Sequence, residues 1–220
     1  MSKLFDLKGK VALITGSTKG IGKAIAEEMA AAGAKVVISS RKPEPCHDVC
    51  EAIKAAGGEA IAVPCNVGKK GDLMNLVDET LAAFSAEVHR RGMRLVLDAV
   101  FNHVGREHPQ VETLRGDGVF EGHDSLVELD HDSEAVRDLA VDAMNYWLDR
   151  GIDGWRLDAA YAVPPSFWAA VLPRVRERHP HAWFLGEVIH GDYATTVRDS
   201  GIDSVTQYEL WQGIWHGIAD

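Results

Sequence analysis

Residues Leu13–Gly22 read LITGSTKGIG, and this stretch decides the fold of the first part of the chain. Its glycines follow the spacing Gly16-x3-Gly20-x-Gly22, directly after the aliphatic run GKVALIT. Such a run ending in glycine is typical of a buried strand, and residues 21–33 continue with the apolar spacing of a helix. Glycines permit a tight turn, after which the helix amides face an anion such as a pyrophosphate. The stretch therefore predicts a phosphate cradle, with a purely structural turn as the alternative.

The strand–helix alternation continues beyond this loop. Residues 34–40 (AKVVISS) and 59–67 (EAIAVPCNV) have the composition of buried strands, and residues 46–56 between them have that of a helix. Three β–α units in succession predict a parallel sheet with right-handed crossovers.

Basic residues are divided unevenly along the chain. All ten lysines lie at or before Lys70, together with only one arginine, whereas from Arg90 onward there are twelve arginines and no lysine. Residues 1–85 carry 11 basic and 10 acidic side chains, and residues 86–220 carry 12 and 23. Lys and Arg are close in helix propensity, so structure alone would not enforce this division. We therefore predict a chimera of two parents, made by design, with a natural gene fusion as the alternative.

The predicted junction lies inside a helix. Apolar residues keep helical spacing through residues 72–91, across the composition change near 84–88. Strands are then predicted in 94–104, 151–160 and 181–188, with a polar loop from the first of them to about Asp130 and helices between the strands. We expect one α/β domain over residues 1–220, built from fragments 1–85 and 86–220. Its doubly wound parallel sheet would run 3-2-1-4-5-6, with a possible seventh strand and helices on both faces.

Residues 7–84 resemble the short-chain dehydrogenase/reductase family, through LITGSTKGIGKAIAEEMAAAGAKVVISSRK and the later CNV. Where that family has an Asp for the ribose of NAD, this chain has Ser40-Arg41-Lys42. The resemblance and these cations imply NADP(H), because cations suit a 2′-phosphate, although ordinary surface charges are the alternative. The implied cofactor-binding residues are Gly16, Ser17, Lys19, Gly20, Ile21, Gly22, Arg41, Asn66 and Val67.

The catalytic residues of that family are absent. No tyrosine is followed four residues later by a lysine; the residues at those positions are Arg150, Pro165, Val197 and Gln212. Without a proton donor for the carbonyl oxygen, we expect dinucleotide binding without dehydrogenase turnover.

From about residue 86 the chain resembles the α-amylase family of glycoside hydrolases, whose catalytic domain is a (β/α)8 barrel. Three motifs carry the resemblance: DAVFNH at 98–103, GWRLD at 154–158 and GEV at 186–188. The resemblance implies Asp158 as nucleophile and Glu187 as general acid/base. It further implies Arg156 as the residue that orients Asp158, His103 as a sugar contact, and Asp98 and Asn102 as supporting residues. The alternative is that these are solvated polar residues at a sheet edge.

The amylase motifs are incomplete. No Asn-His-Asp follows Glu187, so the third carboxylate of the family is missing, and only the middle strands of a barrel are represented. We thus expect a hybrid of a dinucleotide-binding fold and a barrel fragment, without efficient catalysis, that retains an NADP(H)-type loop. The alternatives are residual retaining α-glycosidase activity and a purely structural chain without a ligand.

Composition limits the partners. The formal net charge of −10 argues against nucleic acid, and no segment approaches eighteen unbroken apolar residues. The three cysteines have no metal-ligand spacing, so no metal site is expected. We expect a cytoplasmic monomer or homodimer whose partner is at most a dinucleotide or another small molecule.

Overall fold

The structure is a computed structural model and describes residues 6–219. The chain divides into two compact units, Met1–Arg94 and Leu95–Asp220. Both combine parallel strands with helices, as the predicted α/β class requires. Within the described residues, no helix combines the length and apolarity needed to cross a membrane.

The first unit is a three-stranded parallel sheet in the order β1-β2-β3. Its elements are β1 (Val11–Thr15), α1 (Gly20–Ala31), β2 (Lys35–Ser39), α2 (Pro43–Ala55), β3 (Glu59–Ala62) and α3 (Lys70–Arg90). Central β2 is buried on both faces because its side chains alternate between them. Val36 and Ile38 pack with residues of α1 and α2, whereas Val37 packs with Leu76 of α3. Helices therefore cover both faces of this sheet, as predicted.

A buried carboxylate joins the end of α3 to the sheet. Glu87 has only 2% of its side chain exposed. It accepts hydrogen bonds from Arg90 (2.7 and 2.9 Å) and Arg91 (2.7 Å), and Lys35 Nζ lies 2.9 Å away. These contacts, Arg90 foremost and then Lys35 and Arg91, hold the pKa of Glu87 well below its ordinary value. The region of the predicted junction is therefore packed into the first unit.

The second unit contains a four-stranded parallel sheet in the order β10-β9-β8-β4. These strands are β4 (Val96–Val100), β8 (Gly154–Asp158), β9 (Trp183–Gly186) and β10 (Ser204–Val205). The helices are α4 (Val111–Leu114), α5 (Glu134–Leu148), α6 (Pro165–Arg178), α7 (Tyr193–Ser200) and α8 (Tyr208–Ala219). Aromatic side chains fill the core, and Phe101 contacts both Trp155 and Trp168 edge-to-face at centroid distances of 6.3 and 6.2 Å.

A separate antiparallel sheet occupies the segment predicted as a polar loop. It consists of β5 (His103–Gly105), β6 (Arg115–Val119) and β7 (Leu126–Leu129), in the order β5-β7-β6. Val127 and Leu129 of β7 are buried, so apolar side chains hold this small sheet in place.

The predicted continuous sheet is not confirmed. The order 3-2-1-4-5-6 required β4 to pair with β1, but among residues 6–219 β4 pairs only with β8, in register from Val96↔Gly154 to Val100↔Asp158. The parallel strands of the second fragment form their backbone hydrogen bonds with one another. Neither β1 nor β4 has a side-chain pattern that specifies which strand should pair with its remaining edge. Each unit has its own parallel sheet within the described residues, and the single domain over residues 1–220 stays a prediction. Fusion within α3 stays a prediction.

Candidate functional sites

Three carboxylates gather at one edge of the parallel sheet of the second unit. Asp98 lies on β4, Asp158 ends β8, and Glu187 follows β9 directly. The strands are parallel and nearly in register, with Val100 opposite Asp158 and Leu157 opposite Gly186. Parallel strands end at a common edge, so this pairing brings the three side chains together.

Arg156 bridges all three carboxylates. Its Nη1 donates to Asp98 at 2.7 and 2.8 Å and to Asp158 Oδ1 at 2.6 Å, and its Nη2 lies 2.7 Å from Glu187 Oε1. Burial opposes the charge of the guanidinium, but the hydrogen bonds that it donates to Asp98 and Asp158 outweigh this effect and raise the pKa of Arg156. One fixed cation therefore links the three carboxylates and offsets part of their negative charge.

Glu187 accepts hydrogen bonds from two more donors. The Ala159 amide donates to Oε2 at 3.0 Å, and Tyr208 Oη donates to Oε1 at 3.2 Å. Ala159 has a left-handed backbone with φ of 49°, an unfavourable conformation for alanine that aims this amide. Sequence reasoning missed Tyr208; its position just past β10, at the same sheet edge, was the available signal.

His103 and Asn102 extend the site from the end of β4. Asn102 is buried; its Nδ2 donates to the carbonyl of Ala162 at 3.1 Å, and its Oδ1 lies 3.1 Å from His103 Nδ1. Burial lowers the pKa of His103, partly offset by the charges of Asp158 and Glu128. The predicted supporting residue Asn102 thus fixes the position of His103, whose ring also stacks on Phe120 at 4.5 Å.

A second hydrogen-bonded pair, Tyr161 with Glu121, was not found from sequence. Tyr161 Oη donates to Glu121 Oε1 at 2.7 Å. This bond foremost, then burial and the charges of Glu187 and Asp158, raises the pKa of Tyr161 to about 12. Glu121 has a φ of 50°, which is rare for a residue with a side chain. Neither residue lies in a recognisable motif, so sequence offered no signal for the pair.

The glycine loop of the first unit forms an open cradle. Gly16 and Gly20 have φ of 70° and 57°, and a Cβ on either would meet no other atom of the described chain within 4 Å. A Cβ on Gly22 would lie 2.5 Å from the carbonyl oxygen of Gly16, so this approach requires glycine. No side chain of the described residues caps α1, and its first turn contains no acidic residue. The loop therefore leaves helix amides available to an anion.

The other predicted cofactor residues follow the carboxyl ends of the same sheet. Lys19 and Arg41 are exposed, as are Ile21 and Val67, at 82% and 58%. Ser17 is buried instead; its Oγ accepts from the Ser39 amide at 2.8 Å, which ties the loop to β2.

Asn66 closes the turn after β3. The side-chain Oδ1 of Asn66 accepts a hydrogen bond from the backbone amide of Gly68 at 3.1 Å, and the backbone amide of Asn66 donates to the Asp72 carboxylate at 3.0 Å. The asparagine thus holds the backbone beside the exposed Val67. Metal-binding clusters of three or more His, Cys, Asp or Glu do not occur in the described residues.

These geometries define two kinds of unit: a β–α unit with a glycine cradle, and a parallel sheet with strand-end carboxylates. The family model of the short chain dehydrogenases matches residues 10–110, and that of the α-amylase catalytic domain matches residues 119–197. The chain therefore combines a segment similar to short chain dehydrogenases with a segment similar to α-amylases, which confirms both resemblances. The first match passes the predicted junction and overlaps the DAVFNH motif.

Individual relatives are of both kinds. A cyclomaltodextrinase from Bacillus sp is 31% identical over 184 residues, 70% of this chain and 31% of the relative. Tropinone reductase-like 3 from Erythroxylum coca is 44% identical over 77 residues, 35% of this chain and 30% of the relative. The solved cyclic alpha-maltosyl-(1→6)-maltose hydrolase from Arthrobacter globiformis is 28% identical with a TM-score of 0.53, covering 60% of this chain and 35% of that chain. The chain thus spans about a third of each relative.

Proposed function

We propose that the first unit binds an NADP(H)-type dinucleotide at the glycine loop without dehydrogenase turnover. The observation that carries the proposal is the uncapped start of α1 beside glycines whose missing side chains leave open space. Backbone amides and the positive end of the helix dipole favour a pyrophosphate there.

The residues around the cradle fit the cofactor. Gly16, Gly20 and Gly22 would admit the pyrophosphate, Lys19 and Arg41 would supply positive charge for a 2′-phosphate, and the turn at Asn66 would hold the adenine. A bound nicotinamide would supply hydride chemistry. The chain has no Tyr-x3-Lys pair to move the accompanying proton, which is why the proposal includes no turnover.

Thermal unfolding with increasing NADPH tests this function. Ligand that binds only the folded state raises the unfolding temperature. We expect stabilisation of the unchanged chain and none for Gly20→Asp, whose carboxylate would occupy the cradle. Gly57→Asp is a matched control, because Gly57 also has a positive φ (87°) with open space around it, but lies at the end of α2. Absence of any NADPH effect on the unchanged chain would overturn the proposal.

A second candidate function is residual retaining α-glycosidase activity in the second unit. The bridge from Arg156 to Asp158 and Glu187 favours it, since a retaining glycosidase needs two carboxylates close together. Asp158 would attack the anomeric carbon while Arg156 orients it, and Glu187 would donate a proton to the leaving group.

The same geometry explains why the activity should be low. Glu187 accepts hydrogen bonds from Ala159 and Tyr208 and pairs with Arg156, so one contact must break before it can deliver a proton. The third family carboxylate is also missing from the sequence.

Release of nitrophenol from a nitrophenyl α-glucoside tests the second candidate. We expect slow release that Asp158→Asn abolishes and that Asp142→Asn, an exposed position on α5, leaves unchanged. Release that survives Asp158→Asn would exclude Asp158 as nucleophile. If neither NADPH binding nor hydrolysis is found, a purely structural chain is the remaining reading.

A further inference from the structure

Helix α8 has an apolar side that is exposed along its whole length. Five of its apolar residues are each 54–79% exposed and recur with helical spacing: Leu210, Trp211, Ile214, Trp215 and Ile218. At 3.6 residues per turn these positions fall within an arc of about 140°, and we call this surface the α8 stripe. The indoles of Trp211 and Trp215 stack along it with centroids 6.4 Å apart. A contiguous exposed apolar surface of this kind marks an interaction site.

Packing within the chain contributes little to the stability of α8, because each residue from Tyr208 to Ile218 is exposed. A helix of 12 residues is marginal in water on its own, and Gly213 and Gly217 lower its helix propensity further. Burial of the α8 stripe against another surface would supply the missing stabilisation.

The composition of α8 favours a second copy of the chain as that surface. Helices that lie on membranes carry Lys or Arg on their polar side, and α8 has neither. Its one carboxylate, Glu209, lies opposite the stripe by helical periodicity, so two copies can approach here without opposing carboxylates, although the chain carries a net charge of −10. The stripe exposes on the order of 600 Å² per copy, so two copies would bury about 1,200 Å², the lower end of specific interfaces.

We propose that two copies of the chain associate through the α8 stripe, in an antiparallel two-fold contact centred on Ile214. A two-fold contact joins the same surface of both copies, so the start of one stripe faces the end of the other. Ile218 of each copy then packs on Trp211 of the other, and Leu210 packs against Gly217. The position of Gly217 has room for this approach, since a Cβ there would meet no atom of the described chain within 4 Å.

A pocket at the start of α8 can receive the end of the second helix. Its volume is about 390 Å³, and its lining consists of Thr206, Gln207, Tyr208 and Trp211. The pocket is held in place because the Thr206 hydroxyl donates to the carbonyl of Val188 and accepts from its amide, both at 2.9 Å. Ile218 is the most exposed residue of the stripe, at 79%, and the antiparallel arrangement brings it to this pocket. The surface is therefore self-complementary.

Sedimentation of the full chain at increasing concentration tests the proposal independently of both proposed activities. We expect a concentration-dependent dimer. Trp211→Ala should weaken association by about tenfold or more, as for an aromatic residue at the centre of an interface. Gln212→Ala is the matched control, because Gln212 is exposed on the same helix but opposite the stripe, and it should leave association unchanged. A chain that stays monomeric at every concentration overturns the proposal.

Two further variants test the antiparallel geometry. Gly217→Leu enlarges the apolar surface and improves helix propensity, so unspecific association should become stronger, whereas the contact of Leu210 with Gly217 predicts association about tenfold weaker. Ile214→Cys should cross-link two chains under mild oxidation and Gln212→Cys should not, with little background because the three native cysteines are buried.

The opposite outcomes overturn the contact. Stronger association of Gly217→Leu, or no cross-linking of Ile214→Cys, rules out an antiparallel pair centred on Ile214. Binding of the unchanged chain to phosphatidylcholine vesicles that Trp211→Ala weakens, without a dimer in solution, assigns the stripe to a lipid surface instead.

Discussion

Replacing Arg156 with methionine should destabilise the second unit and so reveal how strongly one guanidinium holds the carboxylate cluster. Methionine keeps most of the apolar stem and removes the charge, so the change isolates the electrostatic contribution. Asp98, Asp158 and Glu187 would then face one another without their common cation.

The expected loss of unfolding free energy follows from how exposed the three carboxylates that pair with Arg156 are. Asp98 is 59% exposed, and a pair of that kind contributes at most about 1 kcal/mol. Asp158 and Glu187 are 31% and 16% exposed, between surface pairs and buried pairs. Removing one partner of a fully buried pair costs about 3–5 kcal/mol, so we expect about 2–3 kcal/mol for this half-buried network. For a chain of this length that corresponds to about 4–12 °C in unfolding temperature.

Urea and thermal denaturation at neutral pH measure this difference. Arg198→Met is the matched control, since Arg198 is 69% exposed and pairs with its sequence neighbour Asp199. It should change stability by less than about 0.5 kcal/mol. Acidification, which neutralises carboxylates, should narrow the gap between Arg156→Met and the unchanged chain. Equal stability of the two Arg→Met variants, or a gap that widens in acid, would refute the reasoning.

Three further outcomes are expected. The pKa of Glu87 is depressed in the folded state, so the ionised Glu87 stabilises the fold above the unfolded pKa of about 4.3, and this stabilisation is lost as the pH falls. In Glu87→Gln, the free energy of unfolding measured in urea should therefore decrease less on acidification than in the unchanged chain. An equal decrease in both would contradict the stabilising role of the contacts of Glu87 with Arg90, Arg91 and Lys35. Gly22→Ala should cost about 1–3 kcal/mol because its Cβ would lie 2.5 Å from a backbone oxygen, whereas Gly71→Ala, in open space on α3, should stabilise by about 0.5–1 kcal/mol; equal effects in chemical denaturation would contradict this. Tyr161 should ionise near its raised pKa of about 12 in a spectrophotometric titration, and Glu121→Gln should return the pKa of Tyr161 toward 10. The same pKa in both chains would show that the hydrogen bond to Glu121 is not formed.

The sequence predicted each unit's local structure better than the arrangement of its sheets. The glycine spacing at 16–22 specified a turn and a helix start, because few other residues fit a positive φ or the close approach at Gly22. The motifs that contain Asp158 and Glu187 lie at the ends of adjacent parallel strands, which brings these two side chains together. These outcomes depend on local rules.

The missed features depend on distant partners. A strand's outer hydrogen-bonding edge carries no side-chain code, so the sequence did not determine whether β4 would pair with β1 in addition to β8. Most of the β5-β7-β6 sheet was predicted as a polar loop, because β6 is short and rich in glycine and charge, whereas residues 103–104 of β5 were predicted to end the strand 94–104. Tyr208 and Glu121 reach the site through turns, and no spacing rule relates them to Glu187 or Tyr161.

Amide hydrogen exchange with and without NADPH shows whether a dinucleotide binds at the glycine loop. Exchange should become slower at residues 16–22 and 40–42 when NADPH is added, and this slowing should be absent in Gly20→Asp. Unchanged exchange throughout residues 16–22 at saturating NADPH would contradict it.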